Sequence, residues 1–133
     1  MASLSDDAIK ALLDAPNCAV LSSFNPDGSV HSAVAWQERL DDAVSVNSAI
    51  GRHWPTNLEH DPRVTLVVMA GDNPYEYVEI RGRARGTTDR ADEQIDRLAK
   101  KFIGQDKYPF RSPGEQRISY HITPERARYQ KQG

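Results

Sequence analysis

Alternating apolar and polar positions run through most of the chain, and this two-residue period is typical of β-strands that bury one face. The turn signal "NPDG" at 25–28 separates the first two such segments, and Gly28 can adopt the positive φ that a hairpin turn needs. The segment "RVTLVVMA" is almost entirely apolar, so we expect both of its faces to be buried. Six strands are predicted, at 18–24, 29–39, 44–48, 63–70, 75–88 and 117–123.

The connections between these strands favour a small antiparallel barrel with attached helices. Short turns join the first three strands, so we expect them to pair in sequence order as a meander. In the fifth strand, Tyr75 and Tyr77 share one face and Val78 lies on the other. Gly82 in the middle of that strand indicates a bulge or the close approach of another backbone. Closing the strands into a barrel would remove exposed sheet edges.

A 3.6-residue period of apolar positions predicts two helices. Ser5 is expected to cap the first helix, which Pro16 ends. Asp89 is expected to cap the second, which spans 89–104 and stops at Gly104. The apolar faces consist of Ile9, Leu12 and Leu13 in the first helix, and of Ile95, Leu98, Phe102 and Ile103 in the second.

Length and charge narrow the classes of protein. The chain has 133 residues and a net charge of −2, which fits a single domain over 1–133 and gives no general electrostatic reason to bind nucleic acid or an anionic membrane. The N-terminal segment has no long apolar core, and no run approaches the roughly 18 apolar residues of a membrane span. Cys18, the one cysteine, is expected in the core. These features predict a cytoplasmic protein.

The stretch "SAIGRHWPTNLEHDPRV" at 48–64 interrupts the strand pattern with arginine, histidine, tryptophan and proline in close succession. Pro55 fixes its own φ and disfavours helical geometry at the residue before it. We therefore expect a helix that begins at Pro55 and ends before Asp61 and Pro62. The N–H groups of 56–58 would then lack partners within the helix.

Two interpretations of this stretch are open. In the first, the helix N-terminus binds an anion, Arg52 adds a charge-assisted contact to phosphate or carboxylate, and Thr56 and Asn57 supply side-chain donors. In the second, the stretch carries the chain from one barrel strand to the next, Arg52 is solvated, and Trp54 is a packing residue. The residues alone do not decide between them.

Other candidate chemistry is sparse. The four histidines form no recognised metal-ligand spacing, so no metal site is predicted, and no catalytic residue stands out. The 104–116 loop is long for a compact domain, which suits either a lid or a disordered segment. Aromatic residues either line a pocket for a planar substrate or pack at a barrel rim or dimer interface. The candidates for such a pocket are Trp36, Tyr75, Tyr77 and Tyr108.

The order of several motifs resembles a known family. The pattern "GR…NLEHDPRV", the apolar strand within it, "NPYEYVEIRGRA" and "IDRLAKKFIG" are similar to the pyridoxamine-phosphate-oxidase-like split-barrel proteins. More narrowly, the chain resembles the PPOX-class F420-dependent oxidoreductases, also called the flavin/deazaflavin oxidoreductases. The resemblance covers nearly the whole chain. It implies a mainly-β fold, a six-stranded antiparallel split β-barrel of Greek-key type with peripheral helices, and a homodimer with two cofactor sites at its interface.

The resemblance also implies which residues contact a cofactor. Many members carry a lysine where this chain reads "HWPT", so Arg52 is the one certain positive charge in that segment. Lys100, Lys101 and Lys107 are candidates to supply the missing charge or to meet the acidic oligoglutamate tail of F420, unless they form a solvated helix face. The implied set is Ser32, Ala33 and Val34 along the ring, Ser48 near the ribityl chain, and Arg52, His53, Trp54, Thr56 and Asn57 around the phosphate.

By this resemblance the protein is expected to transfer a hydride from reduced F420 to a small, planar, electrophilic organic substrate. An FMN-dependent oxidoreductase, and so a flavoprotein, is the first alternative, because FMN has a phosphate but no glutamate tail. A binding protein that carries F420, flavin or haem without turnover is the second, because one fold serves several functions.

Overall fold

The structure, a computed structural model, describes residues 3–132. In this range short turns and one longer loop, 104–116, connect the strands and helices. The fold is mainly β, with seven strands and three helices. The strands are β1 (Ala19–Phe24), β2 (Val30–Ala35), β3 (Gln37–Leu40), β4 (Ala43–Ala49), β5 (Arg63–Ala70), β6 (Asn73–Thr87) and β7 (Arg117–Lys131). The helices are α1 (Asp7–Asp14), α2 (His53–His60) and α3 (Ala91–Ile103).

All seven strands belong to one curled antiparallel sheet, a half-barrel with the order β2–β1–β5–β6–β7–β4–β3. β1 pairs with β2 and β5, and β4 pairs with β3 and β7. The two predicted hairpins are confirmed, as β1 with β2 and β3 with β4, but the first three predicted strands do not form one continuous meander, because the middle one is divided into β2 and β3. Helix α2 then carries the chain from β4 to β5, which do not pair. Three successive strands, β5 to β7, return beside β4 and give the Greek-key order that the resemblance implies.

The predicted strand at 29–39 is two strands, so the expected number of six is wrong. The chain leaves the sheet at Trp36, between β2 and β3. Ala35 pairs with Ala19 at one edge of the sheet, whereas Gln37 pairs with Val46 at the opposite edge. A single polypeptide run thus joins both edges of the curled sheet, which local alternation of residues cannot reveal.

The inner face of the sheet carries the hydrophobic core. In β5, Val64, Leu66 and Val68 are buried while Met69 is 48% exposed, so the prediction that both faces of this strand are buried is wrong. The predicted irregularity at Gly82 is confirmed, since the pairing of β6 with β7 shifts register between Arg81 and Gly82. Gly28 has the predicted positive φ, at 87°.

The helix faces are largely as predicted, but the helix starts are not. Ile9, Leu12 and Leu13 are buried, as are Ile95 and Leu98, whereas Ile103 is exposed. Asp6 rather than Ser5 is the N-cap of α1, because a turn closed by the Asp6 N–H and the Ser3 carbonyl precedes the helix. Arg90 in the left-handed region precedes α3, so Asp89 is not its cap. Gly104 ends α3 as predicted.

Two further expectations need correction. Cys18 is exposed rather than buried in the core. The last strand extends to Lys131, well beyond the predicted end at 123, because β7 pairs along most of the length of β6. Within residues 3–132, no helix combines the length and the apolar character needed to cross a membrane.

Candidate functional site

Helix α2 begins two residues earlier than predicted, and this changes its N-terminus. His53 is the first helical residue and Arg52 is the N-cap. The Thr56 N–H donates to the Arg52 carbonyl at 3.1 Å, so it is not free for an anion. Pro55 lies in the first turn, where its missing N–H costs no helical hydrogen bond. Packing of Trp54 against Tyr120, with ring centroids 5.7 Å apart, outweighs the steric preference against a helical residue before proline.

Two of the predicted site residues on α2 fix the helix to the barrel, and a third bonds within the helix N-terminus. Asn57 is buried, and its Nδ2 donates to Ser23 Oγ at 3.2 Å and to Asn25 Oδ1 at 3.0 Å. The Thr56 hydroxyl donates to the Arg52 carbonyl at 2.7 Å. His53 Nε2 lies 2.7 Å from Asn25 Oδ1, and its ring stacks on His31. The expectation that Thr56 and Asn57 present free donors beside Arg52 is therefore wrong.

A groove of about 190 Å³ opens where β2, β4, α2, α3 and the 104–116 loop meet the start of β7. We call it the tryptophan groove, because both tryptophans of the chain line it. Four of the predicted cofactor residues and two of the predicted substrate residues lie here together, although they come from separate segments. Its lining residues are Val34, Ala35, Trp36, Asn47, Ser48, Arg52, Trp54, Ile95, Tyr108, Phe110 and Arg117.

The remaining candidates do not line the groove. The alternation of β2 places Ser32 and Val34 on its outer face, and Ala33 packs against the core. Tyr75 is exposed, and the Tyr77 hydroxyl donates to Gln130 Oε1 at 3.4 Å. The residues that the structure places outside the groove are Ser32, Ala33, His53, Thr56, Asn57, Tyr75 and Tyr77, and a contact of any of them with a cofactor stays a prediction.

Aromatic side chains build one wall of the tryptophan groove. Trp36 stacks on Phe102 with ring centroids 5.4 Å apart and planes 1° from parallel. Tyr108 meets the Trp36 ring edge-on at 5.9 Å, and Phe110 meets Tyr108 edge-on at 5.6 Å. This wall offers flat apolar surface to a ligand with a planar ring.

The 104–116 loop is anchored to α3, which argues against the disordered segment that was one expectation for it. The Tyr108 N–H donates to Asp96 Oδ1 at 2.8 Å, and Arg111 forms ion pairs with Asp92 at 2.6 Å and with Asp96 at 3.0 Å. Burial by itself would raise the pKa of Asp96, but the Tyr108 N–H and the Arg111 guanidinium hold it below its usual value. The loop is thereby positioned over one end of the groove.

A chain of polar contacts forms the opposite side of the groove. Arg117, at the start of β7, is buried and donates from Nε to Asn47 Oδ1 at 3.0 Å and from Nη1 to Glu115 Oε1 at 3.3 Å. Glu115 Oε2 in turn accepts from Arg52 Nη2 at 3.4 Å. Two guanidinium groups, one exposed and one buried, thus lie on the same carboxylate.

Buried polar contacts behind the groove fix the orientation of Asn47. Its Nδ2 donates to the Ala91 carbonyl and to Gln94 Oε1, both at 2.9 Å, which leaves Oδ1 to accept from Arg117. Gln94 is buried and is itself held by a hydrogen bond from Ser119 Oγ at 2.5 Å. Such a satisfied network holds Arg117 rigidly beside the groove.

Sequence reasoning missed Arg117, Asn47 and Glu115. No local signal marks Arg117 as different from any charged residue at a strand end, because its partners come from β4 and from the loop before β7. Instead, we expected Lys100, Lys101 or Lys107 to supply positive charge. Burial lowers the pKa of Lys101, and its Nζ donates to the Leu13 and Gln37 carbonyls at 2.6 and 2.8 Å. Within the described part of the chain, no lysine lines the groove.

A larger, open cleft of about 410 Å³ lies on the outer face of the sheet, around β1, β5 and β6. Both arginines that line it are paired with neighbouring carboxylates, Arg63 with Asp61 at 2.6 Å and Arg81 with Glu79 at 3.3 Å. Phe24 is the one aromatic side chain among its described lining residues, so the cleft offers no stacked aromatic wall. The tryptophan groove is therefore the better candidate for a ligand with a ring and an anionic group.

Comparison with known families supports the assignment of the fold. The family model for pyridoxamine 5'-phosphate oxidase matches residues 5–131. The chain belongs to the pyridoxamine 5'-phosphate oxidase family. Comparison with curated proteins finds no significant match.

Within residues 3–132, no group of three or more His, Cys, Asp or Glu side chains is placed to hold a metal ion.

Solved structures share the fold of this family member at low sequence identity. An F420 reductase is 22% identical with a TM-score of 0.78, and the match covers 90% of this chain and 94% of that protein. A conserved hypothetical protein of Mycobacterium tuberculosis is 19% identical with a TM-score of 0.73, covering 97% and 86%. The general stress protein 26 of Bacillus anthracis is 18% identical with a TM-score of 0.70, covering 93% and 92%.

Proposed function

We propose that the protein is an F420-dependent oxidoreductase whose tryptophan groove holds the cofactor. The observation that carries this proposal is the meeting of two guanidinium groups and a stacked aromatic wall in one groove. The structural similarity to an F420 reductase supports it at the level of the fold. Reduced F420, when bound, would supply the hydride for a small electrophilic substrate.

The donors in the groove fit a planar cofactor that carries a phosphate. Arg52 and Arg117 suit phosphate, since guanidinium groups make charge-assisted and often bidentate contacts to its oxygens. Ser48 lies beside them and suits a hydroxyl group of a ribityl chain. Val34 and the aromatic wall suit the ring. The protein would thus bind and orient the cofactor, and Tyr108 and Phe110 on the anchored loop would shield it from water.

We further propose that the site is completed by a second copy of the chain. The groove, at about 190 Å³, is smaller than the roughly 300–1,000 Å³ of pockets that enclose drug-sized ligands. Val34 lines the groove and is 71% exposed. On the same sheet face, Val20 pairs with Val34 and Met69 is also exposed. A homodimer that covers this apolar face would enlarge the groove with residues of the partner.

A flavin is the second candidate cofactor, and it is favoured because the three lysines that were candidates to contact an F420 tail already have partners within the chain. Lys100 is paired with Asp106 at 3.0 Å, Lys107 with Asp96 at 3.6 Å, and Lys101 is engaged with backbone carbonyls. In this structure, each of these three lysines is therefore engaged elsewhere and is not positioned to bind the oligoglutamate tail of F420. FMN uses the same phosphate contacts and has no such tail.

Two measurements test the proposed function: the enzymatic oxidation of reduced F420 and the affinity of the protein for F420. We expect oxidation of reduced F420 with at least some members of a panel of enones, quinones and nitro compounds. Arg52→Ala should weaken F420 binding by about 1.5–3 kcal/mol, or about 10–150-fold, because a charged hydrogen bond to phosphate is lost. Calorimetric titration measures this loss, and Arg83→Ala, which removes an exposed arginine paired with Glu125 elsewhere on the sheet, is the control.

The outcomes separate the candidate functions. Binding of F420 without turnover across the panel would favour a binding protein. Tight FMN binding with weak F420 binding would favour the flavoenzyme. An unchanged affinity in Arg52→Ala would place the phosphate elsewhere and remove the main support for the tryptophan groove as the cofactor site.

A further inference from the structure

Glu115 places a negative charge inside the site that we propose for a phosphate. Its side chain is 9% exposed, and its carboxylate lies 3.4 Å from Arg52 Nη2 and 3.3 Å from Arg117 Nη1. Among the described residues, these two guanidinium groups are its charged partners. The Arg52 side chain is 51% exposed, whereas that of Arg117 is 3% exposed. We call Arg52, Arg117 and Glu115 the arginine cluster. Its one carboxylate neutralises half of its positive charge.

Both contacts are longer than the 2.7–2.9 Å of strong charge-assisted hydrogen bonds. The carboxylate is therefore shared between the arginines without saturating either. Arg117 donates from Nε and Nη1 to partners within residues 3–132, which leaves Nη2 for a ligand in the groove. The cluster retains one net positive charge and free guanidinium donors.

Glu115 is held in this position by its surroundings. It belongs to the 104–116 loop, which Arg111 and the Tyr108 N–H tie to α3, and its own N–H donates to the Ser112 carbonyl at 3.2 Å. Moving it away would leave the buried Arg117 guanidinium without a counter-charge, which is costly. We therefore expect Glu115 to stay in place when an anion enters the groove, so that the anion experiences its negative charge.

We propose that Glu115 is a specificity-determining residue, which selects a singly charged phosphodiester over a doubly charged phosphomonoester. This inference rests on the proposed function, in which the groove takes a phosphate-bearing ligand. A phosphomonoester carries about −1.5 to −2 charges at pH 7. A phosphodiester carries one negative charge, which matches the single net positive charge of the cluster. The phosphate of F420 is a diester and that of FMN is a monoester, so Glu115 discriminates between the two cofactors.

The test compares the wild-type protein with Glu115→Gln, which removes the charge and keeps the size of the side chain. Dissociation constants for FMN and F420 are measured at pH 8, where a monoester is fully dianionic because its second pKa is about 6. We expect the FMN affinity to rise at least about tenfold and the F420 affinity to rise less than about threefold, because like-charge repulsion acts more strongly on the dianion. Glu125→Gln, which neutralises an exposed carboxylate paired with Arg83 elsewhere on the sheet, should change neither.

Equal changes for the two cofactors, or no change for either, would overturn the inference. Titrations of the same variants with methyl phosphate and dimethyl phosphate, followed by NMR, test the preference for ligand charge with small ligands that have no ring. If neither cofactor binds but Glu115→Gln shifts preference toward methyl phosphate, the proposed function fails and the role of Glu115 stands. If Glu115→Gln does not fold, the wild-type protein should still bind dimethyl phosphate more tightly than methyl phosphate at pH 8, and the opposite preference would contradict the inference.

Discussion

The Tyr120 hydroxyl links the last strand to the helix that carries Arg52. It donates to Glu59 Oε1 at 2.6 Å and lies 3.1 Å from the Pro55 carbonyl, and the ring is buried against Trp54. Burial, together with the negative charge of Glu59, raises the pKa of Tyr120 above its usual value. At the scale of single residues, the groove therefore depends on contacts behind it as well as on its lining.

Tyr120→Phe tests this contact through stability and its pH dependence. We expect a loss of about 1–3 kcal/mol in the free energy of unfolding at pH 7, because a buried hydrogen bond is removed. With the folded pKa raised, the native state retains the proton that the unfolded state loses above a pH of about 10, so stability falls as pH rises beyond that value.

Urea unfolding of both proteins between pH 8 and pH 11 measures the effect. The difference in stability between wild type and Tyr120→Phe should shrink toward high pH. A difference that stays constant over this range would show that the hydroxyl does not hold its proton as described.

Among the elements of the described chain, β6 and β7 are the longest strands, and β7 begins with Arg117 in the groove. A Cβ at Gly82 would lie 2.2 Å from the Thr123 carbonyl oxygen, so any side chain there would force the two strands apart. At Gly71, by contrast, a Cβ would meet its nearest atom, Asn17 Oδ1, at an ordinary 3.5 Å. The bulge beside Gly82 therefore requires glycine for close packing of two backbones.

Gly82→Ala should lower the free energy of unfolding by at least about 1–3 kcal/mol, the typical cost of overpacking. Gly71→Ala is the matched control and should change it by less than about 1 kcal/mol in either direction. Chemical denaturation of the three proteins measures both values. Equal effects at the two positions would contradict the close approach of β6 and β7.

The success of sequence reasoning also differs from element to element. Strand β1, the helix end at Gly104 and the irregularity at Gly82 follow from local pattern and turn chemistry, and they were predictable. The break at Trp36 was not, because it depends on which strands lie at the two sheet edges. The same holds within the site: Arg52 was predictable from its segment, whereas Glu115 lies 63 residues away and meets it through the fold.

At the scale of the whole molecule, the exposed apolar face of β1 and β2 is the surface that we assign to a second copy. Val20→Glu would place a charge at the centre of that face and should convert a dimer into monomers. Leu40→Glu, at an exposed apolar position beside the turn between β3 and β4, is the control and should remain dimeric. Sedimentation equilibrium distinguishes the two states. A wild-type protein that is monomeric at all concentrations would contradict the assignment.

The most direct test of the account is a fluorescence titration with F420 and FMN. Trp36 and Trp54 are the two tryptophans of the chain and both line the groove, so Trp36→Phe and Trp54→Phe each leave one reporter there. We predict saturable quenching by F420 in both variants, with the same dissociation constant from each reporter. Saturable binding by calorimetry with no quenching of either tryptophan would place the ligand outside the tryptophan groove and contradict the account.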